Sequence, residues 1–205
     1  SYGIPAKLSV KISRLYGDRA PDVIRNNPYR LVEDLEGVGF LTADRIATAL
    51  GIAPDSEFRL QAALKYLLRD AAASAGHVYL PQAYLTQRCA QLLHVEEALI
   101  ARQLQVLMLR RELIAGGTTE EPTVYLPQYD AAEREVAQRL MELMAALAPQ
   151  QRLGVEGEID RFERERNIRF SAKQRQAIAA ALEQGVLVIT GGPGTGKTTL
   201  INCMI

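Results

Sequence analysis

The chain has 205 residues, with 24 basic and 24 acidic groups, 48% hydrophobic and 23% charged residues. That balance suits a soluble globular chain of one or two domains and argues against a uniformly basic nucleic-acid binder. With two cysteines, two histidines and no C-x-x-C spacing, neither a disulfide scaffold nor a zinc site is expected. No long apolar stretch suggests a transmembrane helix, and no charged-then-apolar start suggests a secretion signal. A reducing cytoplasm is the default location. Ser1 stands where a start methionine would, as in an excised piece.

The charges are unevenly spread. Residues 1–30 carry six basic groups against Asp18 and Asp22, net +4, whereas residues 31–60 carry two against six acids, net −4. Residues 161–175 carry six against Glu163 and Glu165, net +4. Basic patches in a neutral chain suit a machine that grips DNA and releases it. They also serve plain solubility.

Residues 1–54 read as a tandem helix-hairpin-helix. Sliding the chain by 34 residues lays Gly3-Ile4-Pro5 on Gly37-Val38-Gly39, Lys11-Ile12 on Arg45-Ile46, and Gly17 on Gly51. Each copy predicts a glycine hairpin, a helix and a terminating glycine. A leading helix, Pro28 to Leu35, belongs to the second copy; that of the first is expected before Ser1. In the second copy, Gly37, Val38 and Gly39 form a tight turn whose N–H groups face a backbone phosphate without reading bases. Thr42 and Arg45 lie one turn further on and add candidate phosphate contacts. The same hairpin also serves as a plain joint between packed helices. Pro5 has no N–H, which weakens the first copy as a phosphate site.

Residues 55–129 predict three helices and a hairpin, a winged-helix-like α+β domain. Helical spacing of Phe58, Leu60, Ala63, Leu64, Leu67, Leu68 and Ala71 gives a helix from Glu57 to Ala73. After the extended piece Val78–Pro81 come helices from about Gln82 to Leu93 and Val95 to Leu113. Ile114-Ala115 and Val124–Leu126 then flank a long polar turn. Residues 61–130 carry six basic and seven acidic groups, so this region is not a basic DNA face. His77, Tyr79 and Tyr125 read as packing residues, and His94 shows no partner. Residues 130–168 read as an amphipathic helix, Ala131 to Leu147, followed by a linker from Ala148 to Gly157.

Residues 169–205 carry the chemistry. Ser171 caps a helix from Ala172 to about Leu182, and Val186–Thr190 reads as a buried strand. Gly191 to Thr199 then matches the phosphate-binding loop G-x-x-x-x-G-K-[ST]. Gly192, Pro193, Gly194, Thr195 and Gly196 let the backbone curl around phosphate oxygens. Lys197 would reach the β- and γ-phosphates of ATP, Thr198 would hold Mg²⁺, and Thr199 follows at the helix start. Gln174 can donate to and accept from an adenine edge at once; it also reads as an ordinary exposed helix residue. A nucleotide-hydrolysing domain needs further parallel strands and an acidic Mg²⁺ ligand, so the chain is expected to be a piece that stops inside its motor.

Several blocks resemble one family. They are Asn27-Pro28-Tyr29-Arg30-Leu31, Gly37 to Asp44, Phe170 to Ile178, and Ile189 to Thr199. Together they resemble RecD-like DNA helicases of superfamily 1B, in the long stand-alone form. The resemblance implies a multidomain, mainly α chain with the start of a RecA-like α/β domain. It implies ATP-driven 5′→3′ movement on single-stranded DNA and at junctions with duplex, with protein partners in DNA repair or recombination. Under it, Gln174 contacts adenine, and Lys197 and Thr198 are catalytic. Two alternatives stand beside it: another P-loop ATPase of AAA type with a DNA-binding front, and a non-catalytic DNA- or protein-binding module.

Overall fold

The structure is a computed structural model and describes residues 4–146, 154–184 and 186–205. The Gly3 turn, Leu147, linker residues 148–153 and Gly185 lie outside the described residues. The chain forms two compact units, residues 1–132 and 133–205.

The first unit begins with α1 (Ala6–Tyr16), α2 (Ala20–Asn26), the short α3 (Arg30–Asp34) and α4 (Phe40–Ala49). Pro5 precedes α1, and its carbonyl accepts from the N–H groups of Leu8 and Ser9, both at 2.9 Å. Gly17 and Gly51 both have positive φ, as the 34-residue repeat requires. The helix expected from Pro28 is shorter. Pro28 and Tyr29 form a turn held by the Tyr29 N–H on Asn27 Oδ1, and α3 follows. Leu8, Ile12, Ala20, Ile24, Leu31, Val38 and Ile46 close a small core between these helices.

Helix α4 has two apolar faces. Ile46 enters that small core, whereas Phe40, Ala43 and Ala47 enter a larger one. The larger core is built on α5 (Glu57–Ala75), α6 (Gln82–Leu93) and α7 (Glu97–Leu109). Phe40 stacks between Tyr29 and Tyr66, at 5.9 and 5.3 Å between centroids. The Tyr29 hydroxyl donates to Asp44 Oδ1 at 2.6 Å, and Arg59 grips the same carboxylate from Nε at 2.8 Å and Nη2 at 3.1 Å. Arg59 Nη1 also donates to the Pro54 and Leu93 carbonyls, which ties α4, α5 and α6 together. Burial and the neighbouring Asp44 push the Tyr29 phenol far above its ordinary pKa. Burial works to raise Asp44, but hydrogen bonds from Arg59 and Tyr29 win and hold it below the usual carboxylate value.

Strands β1 (Tyr79–Pro81), β2 (Ile114–Gly117) and β3 (Pro122–Tyr125) form an antiparallel sheet in the order β1-β3-β2. The extended piece before α6 is therefore a true edge strand, with Leu80 opposite Val124. The turn expected between Ala115 and Val124 is shorter, because Gly116, Gly117, Pro122 and Thr123 join the ladder. Helix α7 is also shorter than the expected Val95–Leu113 span. Arg111 adopts φ 57°, and the N–H groups of Glu112 and Leu113 turn back to the Leu107 carbonyl. His94 likewise caps α6 in the left-handed region, with its N–H on Ala90 O. Cys89 is buried at the centre, and burial pushes its thiol up to about 12.

Helix α8 (Pro127–Ala146) starts four residues earlier than its apolar pattern suggests, because proline suits a first helical position. Val136, Leu140, Leu143 and Met144 are exposed along it. In the second unit the expected linker is partly wrong. Val155–Arg166 is helix α9, which already includes Val155 to Gly157. Ile159 anchors it against Ile178 of α10 (Ala172–Glu183) and Leu200 of α11 (Lys197–Met204). The expected strand Val186–Thr190 is not one: those residues pair with no strand among the described residues, and Val188 is 79% exposed. A parallel strand exists only where neighbours take up its N–H and C=O groups.

Candidate nucleotide and DNA sites

Ser171 and Gln174 open α10 with a reciprocal cap. The Gln174 N–H donates to Ser171 Oγ at 3.3 Å, and the Ser171 N–H donates to Gln174 Oε1 at 2.7 Å. The other end of the same amide, Nε2, donates to the Thr195 carbonyl at 3.1 Å. Gln174 therefore touches the phosphate loop directly. A Cβ on Gly196 would lie 3.2 Å from that nitrogen, and Gly196 also adopts φ 77°. The left-handed φ strains any other residue there, and a side chain would in addition push the Gln174 amide by a few tenths of an ångström.

The next residue, Arg175, clamps α10 to α9. Its guanidinium donates to Glu156 Oε2 at 2.5 Å, Asp160 Oδ1 at 2.6 Å and Glu163 Oε2 at 2.9 Å. These acids recur one turn apart and line one face of α9. Glu163 Oε1 in turn accepts from the Phe170 N–H at 2.7 Å, just ahead of the cap. Phe170 stacks on Phe162 at 6.0 Å. Arg175 thus fixes the helix that presents Gln174, a role that sequence reading did not assign to it.

The loop folds on itself. Thr195 Oγ1 donates to the Gly192 carbonyl at 2.9 Å. Lys197 Nζ donates to the carbonyls of Gly191 at 2.6 Å and Gly192 at 2.7 Å, and lies 3.3 Å from Thr195 Oγ1. Nothing lies within 4 Å of the position of a Cβ on Gly192 or Gly194. That open side, the start of α11 at Lys197 and the lysine ammonium together fit a triphosphate. Leu200, 4% exposed, pins α11 into the core beneath. Thr198 and Thr199 lie in its first turn.

In the first unit, Gly37 has φ 84° and Gly39 caps α4. A side chain on either glycine would meet open space, so a ligand's backbone can approach closely. The N–H groups of Gly39, Phe40 and Leu41 open α4 and have no partner within the helix. Val38 differs from its neighbours. Its side chain is 7% exposed and packs in the small core, while its N–H donates to Leu35 O at 3.3 Å. Thr42 is half-buried and Arg45 exposed on the same helix. Among the described residues no helix is long and apolar enough to cross a membrane.

Residues 1–79 match the family described as the HHH domain of the ATP-dependent RecD2 DNA helicase, and residues 174–205 match an AAA domain. The ATP-dependent RecD2 DNA helicase of Deinococcus radiodurans is 29% identical over 206 aligned residues, which cover 96% of this chain and 28% of that protein. The RecBCD enzyme subunit RecD of Mycolicibacterium smegmatis is 32% identical over 179 residues, 82% of this chain and 28% of that subunit. RecD of Mycobacterium tuberculosis is 66% identical over a block of 29 residues, 14% of this chain and 5% of that subunit. The chain thus spans about a quarter of the length of the curated relatives it matches most broadly. On these matches the chain is similar to part of the RecD-like helicases, its front to the RecD2 hairpin domain and its end to an AAA domain.

Proposed function

We propose that the whole protein is an ATP-dependent DNA helicase that moves 5′→3′ on single-stranded DNA and opens duplex at the junction, acting in DNA repair or recombination. One observation carries the reading: the Gln174 amide is bonded to the same loop that holds Lys197, so the residue that would read the base and the one that would grip the phosphates share one small scaffold. Lys197 would leave the Gly191 and Gly192 carbonyls for the β- and γ-phosphates. Thr198 would hold Mg²⁺, which supplies charge neutralisation on the phosphates when bound. The loop backbone positions the triphosphate, and positioning with charge compensation does nearly all the work in this chemistry. Residues 55–129 act as a winged-helix-like spacer behind the hairpins, and residues 169–205 as the start of a RecA-like motor. Strand displacement by the full-length protein tests the polarity: a 5′-tailed duplex should be unwound and a 3′-tailed one should not.

The bonds of Gln174 sharpen the test of base choice. Replacing it by Ala keeps the backbone N–H on Ser171 Oγ but removes the reciprocal bond from the Ser171 N–H and the loop contact, about 1 kcal/mol for each lost hydrogen bond, which costs ATP and GTP binding alike. Only the loss of the adenine edge is specific to ATP. Gln174→Ala is therefore expected to weaken ATP more than GTP in competition binding to the full-length protein. Equal losses would leave Gln174 as a cap and loop support alone.

A further inference from the structure

We propose that the exposed face of α1 carrying Lys7, Lys11 and Arg14 is a second phosphate-contact line for DNA, continuous with the hairpin at Gly37–Gly39. This deepens the reading of that hairpin as a DNA-backbone site and rests on it. Residues 7, 11 and 14 fall within one narrow helical stripe, and all three are exposed. Leu8 and Ile12 are buried elsewhere on the helix. Helix α1 contains no acidic residue. Among the described residues none of the three cations forms an ion pair. In the same region Arg30 is paired with Asp34, and Arg59 with Asp44. The stripe is therefore positive charge that the fold leaves uncompensated.

Its position is fixed by one contact. Lys11 Nζ donates to the carbonyl of Glu36, the residue before Gly37, at 3.2 Å. That places the stripe beside the hairpin within one packed unit. The repeat adds a second argument. Lys11 is the counterpart of Arg45 at the 34-residue offset, so both copies carry a cation at the same helical position. Pro5, counterpart of Gly39, has no N–H to donate. Lys7 and Arg14 answer to Leu41 and Thr48, so the first copy holds two cations that the second lacks. The first copy thus substitutes side-chain charge for backbone donors. Mobile ammonium and guanidinium groups in open solvent suit a polyanion's phosphates and carry no base preference. The opposing charges at this edge belong to Glu36, whose carbonyl holds Lys11, and to Asp34, which accepts from the Tyr16 hydroxyl of α1 at 2.6 Å and is already paired with Arg30.

The test uses the 205-residue chain and a short fluorescein-labelled duplex of mixed sequence, followed by anisotropy across a salt titration. The triple variant Lys7→Gln, Lys11→Gln, Arg14→Gln should bind at least about tenfold more weakly at low salt. Its log–log salt slope should become shallower by about 0.9 for each phosphate that is no longer neutralised. Glu36→Gln should bind more tightly, and Lys11→Arg should keep wild-type affinity. Gly39→Pro runs in parallel, because it removes a hairpin donor without touching α1. If Gly39→Pro weakens binding while the triple variant matches wild type in affinity and slope, the α1 line is overturned and the hairpin reading stands. If the unsubstituted chain binds no DNA, both are overturned. Circular dichroism checks the fold. Should the triple variant unfold, Lys7→Gln and Arg14→Gln singly decide the matter, each expected to lower the slope by about 0.9.

Discussion

Lys197→Ala is expected to abolish ATP hydrolysis by the full-length protein while leaving the hairpin region folded. The ammonium is the one side-chain cation in the loop, and the structure already places it among the Gly191 and Gly192 carbonyls and Thr195 Oγ1. Those acceptors are weak partners compared with phosphate oxygens, so transfer of Nζ to a bound triphosphate costs little. Removal of the ammonium leaves the charge that develops on the transferring phosphate uncompensated. Removing an electrostatic stabiliser of this kind typically raises the barrier by about 2 to 4 kcal/mol, roughly thirtyfold to a thousandfold in rate. The measurement is DNA-stimulated phosphate release at saturating ATP. DNA binding through the hairpins should survive the substitution. Wild-type turnover in the variant would show that this loop is not the catalytic one.

The parts that were legible in the sequence share a property: each is local. Glycine pairs, the G-x-x-x-x-G-K-T run and the Ser171–Gln174 spacing dictate backbone geometry within a few residues. The apolar rhythm of α5 spans enough turns to be read alone. What escaped the sequence depends on contacts between distant residues. Helix α9 looks like linker because it is mostly charged; its Val155 and Ile159 acquire meaning only against Ile178 and Leu200, and its Phe162 only against Phe170. Likewise, β1 is a strand because β3, more than forty residues on, supplies its ladder. Residues 186–190 show the converse case. They have the composition of a buried strand, yet composition does not make a sheet without neighbours. At the site, the sequence marks Gln174 as able to read adenine, but not that both ends of its amide already hold Ser171 and Thr195. Nor does it reveal that Val38 gives its N–H to Leu35 and its side chain to the core.

Asp44→Ala is expected to be the most destabilising single change in the first unit outside its apolar cores. Asp44 lies in the block Gly37 to Asp44 that resembles the helicase family, yet its contacts are structural. Its carboxylate accepts from the Tyr29 hydroxyl and from two guanidinium nitrogens of Arg59, and the ion pair is mostly sequestered, at 19% side-chain exposure for Asp44 and 16% for Arg59. Truncation leaves a half-buried guanidinium with only the Pro54 and Leu93 carbonyls, and an unpaired buried hydroxyl on Tyr29. Breaking a fully buried pair costs about 3 to 5 kcal/mol; partial exposure brings this pair to about 2 to 4. Tyr29→Phe, which removes one hydrogen bond and keeps the ring stack on Phe40, should cost only about 1 kcal/mol. The effect also depends on pH. Asp44 binds its proton less readily when folded than when unfolded, so its contribution is complete above the ordinary carboxylate value of 3.8. It is lost as pH falls through the lower folded value, and Asp44→Asn should remove that part of the acid sensitivity. All eight tyrosines lie at or before Tyr129 and the chain has no tryptophan, so urea unfolding followed by tyrosine emission reports residues 1–132 alone. A midpoint for Asp44→Ala at pH 7 equal to that of the unsubstituted chain would mean that the apolar contacts of α4 with α5 join the hairpins to the helix–sheet region without this charged lock.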